Sequence, residues 1–299
     1  MNESSEYRTK YNKIMLDTFK YLVDFLNAHN LKWFCSYGTL IGAVRHQGLI
    51  PWDDDIDICM PKDDFDRLVS IKDEIENNSH YRIVSILDKG YYYAIGKIID
   101  TNTTLWEDEI YPFITGVYVD IFPLYKTFYT GDKLIETRKI FESLYISCIR
   151  TVKNIPFNSF LRSLFVDHNR VWREFIINKI IYSKYRHQFF LKKFKEYDDQ
   201  LNIDTGDFAL CYACFVYKEV TKAEYYSDYL EVPFEDFKVR IPIGYHEILS
   251  EIYGDYMTPP PVDKRESLHN SLRYYINLNE RLTISEAKKR IKRGEHQVY

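Results

Sequence analysis

The stretch WDDDIDICMP, residues 52–61, sets Asp53, Asp54, Asp55 and Asp57 beside an apolar run. Carboxylates this close repel one another, and burying them without a counter-charge drives their pKa values up. A bound Mg²⁺ or Mn²⁺ reverses the balance, turning repulsion into shared attraction and keeping the acids ionised. In DIDICM polar and apolar residues alternate with period two, the mark of a strand with one buried face. Asp55 and Asp57 then project to one side, their Cα atoms roughly 6.6 Å apart at about 3.3 Å per residue. GVYVDIFP supplies a third acid, because Val117, Val119 and Ile121 share one face and Asp120 takes the other. Asp55, Asp57 and Asp120 are the expected metal ligands and catalytic residues. Asp54 has the opposite parity, suited to a turn or cap, and Asp53 follows Pro51 closely; both rank behind the triad, on the substrate side.

Upstream, GTLIGAVRH offers Gly38 and Gly42, whose missing side chains let backbone amides approach a phosphate. Thr39 adds a hydroxyl, and Arg45 and His46 add cationic partners. A glycine-rich turn alone is a weak sign, and it gains weight from the acid pair that follows.

These groups need elements to hold them. Met15, Phe19, Leu22, Val23 and Leu26 recur at helical spacing and predict an amphipathic helix ending near NAHN. LKWFCSYGTL reads as a strand entering a glycine turn, and LIGAVRHQG as a short helix closed by Gly48. The apolar spacing predicts a helix from about Asp63 to Ile75, and YYYAIGKIID, TTLWED and FITGVYVDIF read as strands. From Thr130 to Gln200 the texture is helical. VPFEDFKVRIPIGYHEILSEIYGDYMTPPP returns to a strand pair, a helix and a proline-rich extended segment. Thr283 and Glu286 are spaced as a capping box ahead of a basic run from Lys288 to Arg293. The expected fold class is α+β, a mixed sheet flanked by helices with a helical subdomain inserted. The expected divisions are a catalytic core over 1–128, a helical, acceptor-side subdomain over 129–205, and a part over 206–299 that completes the core and groove.

The totals narrow the function. With 40 Lys and Arg against 44 Asp and Glu, the chain lacks the basic surplus of a nucleic-acid binder. At 45% hydrophobic residues over 299 positions it can bury a sizeable core. No apolar run reaches the roughly 20 residues that span a bilayer, and the polar amino terminus is unlike a signal peptide. The expected setting is cytoplasmic, with the basic run available for peripheral contact with the inner membrane face. Five scattered cysteines do not make a disulfide framework. Cys211 and Cys214, in CYAC, lack the second pair a zinc site needs and read as buried thiols.

SYGTLIGAVRHQGLIPWDDDIDICMPKDDFDRL resembles the defining motif of LicD-type phosphotransferases, a family that includes bacterial phosphocholine transferases and the catalytic domains of fukutin-like proteins. The resemblance continues through GKIID and VYVDIFPLY and returns at FEDFKVRIPIGYHEILSEIYGDYMTPPP with a downstream His269. It implies a nucleotidyltransferase-like fold in which a Gly-Ser or similar pair precedes an Asp-hydrophobic-Asp strand and a third Asp lies on a neighbouring strand. Gly38 and Thr39, Asp55 and Asp57, and Asp120 match; Thr replaces Ser, and the spacer is slightly long for the wider superfamily. The implied activity is metal-dependent transfer of a phosphorylated alcohol from a CDP-alcohol donor to a hydroxyl of a glycan or lipid-linked glycan, releasing CMP. Arg45 and Lys97 are candidates for the donor phosphates, though Lys97 reads equally as a strand-end lysine reaching solvent. His46 and His269 are further substrate-side candidates, with Tyr253 and Asp255 on the groove wall. For a choline group, the Tyr91–Tyr93 faces offer cation–π contacts of about 0.5–2 kcal/mol each, against a plainer reading as half-buried strand residues. Two alternatives stand beside this one: nucleotidyl transfer by the same fold, and a non-catalytic nucleotide-binding member.

Overall fold

The computed structural model describes residues 3–154, 176–177, 180–213, 220–265 and 274–295. Helix α1 (Glu3–Ala28) buries Met15, Phe19, Leu22 and Leu26 completely, as their spacing requires. They share one core with Ile58, Ile83, Ile98, Val119 and Ile121 from the sheet. That sheet begins with β1 (Phe34–Cys35) and β2 (Asp57–Pro61) and takes in β3 (Tyr81–Val84) and β4 (Gly96–Asp100). Strand β5 (Thr104–Trp106) lies outside it, and β6 (Tyr118–Thr127) runs through its centre, in the order β1-β2-β6-β4-β3. β2 and β6 are parallel and the other neighbours antiparallel, so the sheet is mixed and the fold α+β.

Between β1 and β2 lie α2 (Tyr37–Ile41) and a π-helical turn (Gly42–His46). Gln47, at φ 56°, closes that turn in the left-handed region, where the sequence suggested Gly48. The expected single helix after β2 divides into α3 (Lys62–Ser70) and α4 (Lys72–Asn78). Ile71 leaves helical dihedrals while its N–H still bonds the Arg67 and Leu68 carbonyls, and Lys72 engages Asp88 at 2.8 Å. The tyrosines of YYYAIGKIID precede β4 and are not part of it; the strand starts at Gly96, where a side chain would collide with the Phe65 ring.

Helices α5 (Gly131–Val152) and α6 (His187–Asp198) form a second core with Tyr125, Leu210 and Tyr212. They join the sheet through Lys62, whose buried ammonium pairs with Asp198 at 3.1 Å and Asp66 at 2.5 Å, while the Tyr125 hydroxyl donates to Asp198. β7 (Phe208–Leu210) extends the far end of β6, and β8 (Thr221–Lys222) pairs with β7. The predicted strand pair and helix appear as β9 (Tyr229–Phe234), β10 (Phe237–Pro242) and α7 (Tyr245–Tyr253). β11 (Tyr275–Asn277) pairs with β5, and α8 (Ile284–Lys292) starts on the expected Thr283–Glu286 capping box. Among the described residues no helix is long and apolar enough to cross a membrane.

Candidate active site

Strand register builds the site. Asp57 on β2 is the partner of Asp120 on β6, and Asp120 is in turn the partner of Lys97 on β4. Side chains in lateral register leave a sheet on the same face, so two acids and a cation form one row across three strands. All three are buried, Asp57 9%, Asp120 8% and Lys97 2% exposed. The Thr39 hydroxyl accepts the Asp57 N–H at 2.8 Å, which fixes the first residue of β2. This is a positioning bond, where the sequence suggested only a donor to phosphate.

Asp55 precedes the strand, because the β2 ladder begins at Asp57. The parity rule that set Asp54 apart therefore does not govern this segment. One carboxylate oxygen from each of Asp53, Asp54 and Asp55 lies within 4.8 Å of the others. Asp54 is buried; Asp53 and Asp55 are half-buried. Gly38 makes room for this cluster, since a Cβ there would sit 2.4 Å from Asp53 Oδ2. Gly42 instead packs against the Gly48 carbonyl and does not face the acids. Tyr37, just before Gly38, adopts φ 46°, an uncommon conformation for a bulky residue and one that recurs at functional sites.

The carboxylates are electrostatically one group. Burial pushes the Asp57 pKa well above the usual range, and Asp55, Asp120 and Asp53 push it further while Lys97 pulls it back. Burial, followed by the charge of Asp55 and a hydrogen bond shared with it, raises Asp53 to about 7. Asp120 rises to about 6 through burial, restrained by Lys97. Asp53, Asp57 and Asp120, raised by burial and by their neighbours' charge, form with Asp55 an all-oxygen set that fits a hard divalent cation.

Lys97 does not reach solvent. Its ammonium lies 2.7 Å from Asp120 Oδ1, 3.7 Å from Glu107 Oε1, 3.4 Å from the Tyr118 ring centroid and 4.7 Å from that of Tyr93. Burial alone would lower its pKa, and the two carboxylates outweigh that and raise it. Glu107 is held by the Tyr118 hydroxyl at 3.0 Å and the Tyr92 hydroxyl at 3.5 Å. The Tyr93 and Tyr118 faces thus already serve an internal cation. Glu107 carried no sequence signal, since it follows the short β5 and joins the site only through tertiary packing.

The remaining candidates lie on the rim or beyond it. Arg45 donates to the Tyr256 carbonyl at 2.6 Å and to His46 at 3.4 Å, and His46 packs edge-on against Trp52, which adjoins Asp53. Burial, then the charge of Arg45, lowers the His46 pKa. Tyr253 is exposed, and Asp255 accepts the Thr258 N–H at 3.3 Å. His269 and Cys214 lie outside the described residues. Cys35, Cys59, Cys148 and Cys211 are free and buried. In the basic run, Lys288 lies over Trp106, Arg290 pairs with Glu280 and Arg293 with Glu295.

A mixed sheet that aligns acids from neighbouring strands beside a glycine-helix turn is the arrangement of a nucleotidyltransferase-type domain. Residues 30–164 match the LicD/FKTN/FKRP nucleotidyltransferase domain. The chain is 28% identical over 267 residues to the lipopolysaccharide cholinephosphotransferase LicD of Haemophilus influenzae, covering 85% of this chain and 94% of the relative. It is 22% identical over 121 residues to human ribitol 5-phosphate transferase FKRP, a match spanning 38% of this chain and 21% of that protein.

Proposed function

We propose that the protein transfers a phosphorylated alcohol, phosphocholine foremost, from a CDP-alcohol to a hydroxyl of a glycan or lipid-linked glycan, releasing CMP. The observation that carries this reading is the pairing of Asp57 with Asp120 inside a LicD-family domain, beside the Asp53–Asp55 carboxylates. Similarity to a cholinephosphotransferase over most of both chains favours phosphocholine, and the shorter match to a ribitol 5-phosphate transferase supports the wider class of alcohol phosphates.

Asp55, Asp57 and Asp120 would hold Mg²⁺ or Mn²⁺, with Asp53 and Asp54 beside them. When bound, such an ion draws off the negative charge that builds on a diphosphate as its P–O bond breaks. The chain's own groups supply the rest. Lys97 holds Oδ1 of Asp120, leaving Oδ2 to take the proton of the attacking hydroxyl. The hydroxyl oxygen bonds to the phosphorus bearing the alcohol, the bond from that phosphorus to the CMP phosphate oxygen breaks, and CMP leaves with the electron pair. Gly38 and Thr39 keep Asp53 and Asp57 in place, and Arg45 and His46 face the donor. The part over 129–205 carries the acceptor side, and any membrane contact by the terminal basic run rests on Lys289 and Lys292.

The test is release of CMP from a panel of CDP-choline, CDP-ethanolamine, CDP-ribitol and CDP-glycerol when lipopolysaccharide or teichoic acid is added with Mg²⁺. The acceptor should gain the mass of the alcohol phosphate. A gain of the nucleotide's mass would mean nucleotidyl transfer, and turnover indifferent to chelator would refute the assignment of the acids.

A further inference from the structure

Around Trp52, the residue before Asp53, two guanidinium groups lie close enough for the charge of one to act on the other. Arg45, in the π-helical turn, is pinned through Nη1 to the Tyr256 carbonyl and through Nε to His46. Arg265 donates from Nε to the Pro260 carbonyl at 2.8 Å and lies over the Trp52 ring, 4.8 Å from its centroid. His46 meets the same indole edge-on at 5.9 Å. Trp52 is therefore a wall for Arg265 and for His46, the hydrogen-bond partner of Arg45, and the next residue is Asp53. Burial, then the charge of Arg265, lowers the Arg45 pKa, so the two guanidinium groups repel. Like charges gathered on a half-buried surface gain from an anion just as the neighbouring acids gain from a cation.

The backbone bonds use only part of each fork. Arg45 Nη2 and both Nη atoms of Arg265 carry N–H groups that no described residue accepts. Planar forks of this kind match phosphate oxygens in pairs, and pinning by carbonyls and an indole fixes them before a ligand arrives. We infer that Arg45 and Arg265 form a clamp for the diphosphate of the nucleotide-linked donor, with Trp52 as its wall. The choice of ligand rests on the function proposed above; the anion site itself does not require turnover. The competing account is a staple, in which the two arginines only fasten the Tyr256–Pro260 segment to Trp52 and have no affinity for anions.

Inorganic pyrophosphate separates the two accounts. Titrated calorimetrically into the full chain in EDTA, it should bind the wild type, and Arg265→Gln should weaken binding roughly tenfold to a hundredfold. Arg265→Lys, which keeps the charge and loses the fork, should fall between. Lys126→Gln, at the far end of β6, should bind as wild type. In unaltered protein pyrophosphate should shield Arg45 and Arg265 from phenylglyoxal, read by peptide mass, which needs no variant to fold. A wild type without affinity in EDTA, an Arg265→Gln variant that binds unchanged, or absence of shielding overturns the clamp. Pyrophosphate binding that depends on Arg265, with no CDP-alcohol consumed, upholds the clamp and sinks the proposed reaction alone. Undiminished consumption of CDP-alcohol by Arg265→Gln sinks the clamp alone.

Discussion

Replacing Lys97 by methionine isolates the electrostatics of the site. The substitution keeps most of the volume and removes an ammonium 2.7 Å from Asp120 and 3.7 Å from Glu107. Both carboxylates stay largely buried and lose the cation they share. Breaking a buried pair from one side costs about 3–5 kcal/mol, a large share of the roughly 5–15 kcal/mol that holds a domain folded. With a urea m-value of about 3 kcal/mol per M, the midpoint should fall by about 1–1.7 M. The deficit should also depend on pH. Asp120 has its folded pKa raised to about 6, so the stability it contributes is present at low pH and lost as pH rises through that value. Without Lys97 its pKa climbs further, the carboxyl stays protonated at pH 5, and the loss relative to wild type should be smaller there than at pH 8. Urea melts followed by far-ultraviolet circular dichroism in EDTA at both pH values measure this directly. A midpoint within about 0.3 M of wild type, or a deficit equal at pH 5 and pH 8, would refute the account of Lys97 as internal counter-ion.

Three further outcomes are expected. Asp57→Asn should abolish turnover and yet raise the thermal midpoint of the metal-free protein, because it removes one charge from a repelling group; a fall in the midpoint would contradict that group's electrostatics. Mg²⁺ should raise the melting temperature more at pH 8 than at pH 5.5. Asp53, at about 7, and Asp120, at about 6, still hold protons in part at the lower pH, where their contribution to folding is only partly lost and cation binding must displace those protons; equal shifts would count against carboxylate ligation. Gly38→Ala should displace the Asp53 carboxylate and weaken Mg²⁺ binding, measured calorimetrically, with a stability cost of about 1–3 kcal/mol from overpacking; unchanged affinity would separate Asp53 from the cation site.

Much of this site was readable before any coordinates, because its strongest signal is local. Alternation in VYVDIF fixes the face of Asp120 whatever that strand pairs with, and alternation from Asp57 onward does the same for β2. The parallel pairing that makes Asp57 and Asp120 partners depends on residues far apart in the chain, and the spacing of either segment is silent about it. Parity fails at Asp54 because residues 53–56 lie ahead of the strand, where the three acids gather and Gly38 leaves room for Asp53. Lys97 could be read as a solvent-reaching lysine because a strand pattern says which face a residue takes and not what covers that face; Tyr93, Tyr118 and Glu107 cover it. The break at Ile71 had no proline or glycine to announce it. Arg265 escaped notice because its relation to Trp52 exists only after the C-terminal segment folds back over the first glycine turn.

The joint at Lys62 limits how this architecture can be rebuilt. A chimera that exchanges the segment carrying α6 for that of another protein would strip Asp198 from a buried ammonium one residue beyond the acid-bearing strand β2. The graft must therefore bring its own carboxylate to that position, or Lys62 must be recoded to an apolar residue in the same step. Whatever that segment contributes is transplantable only together with this hidden seam.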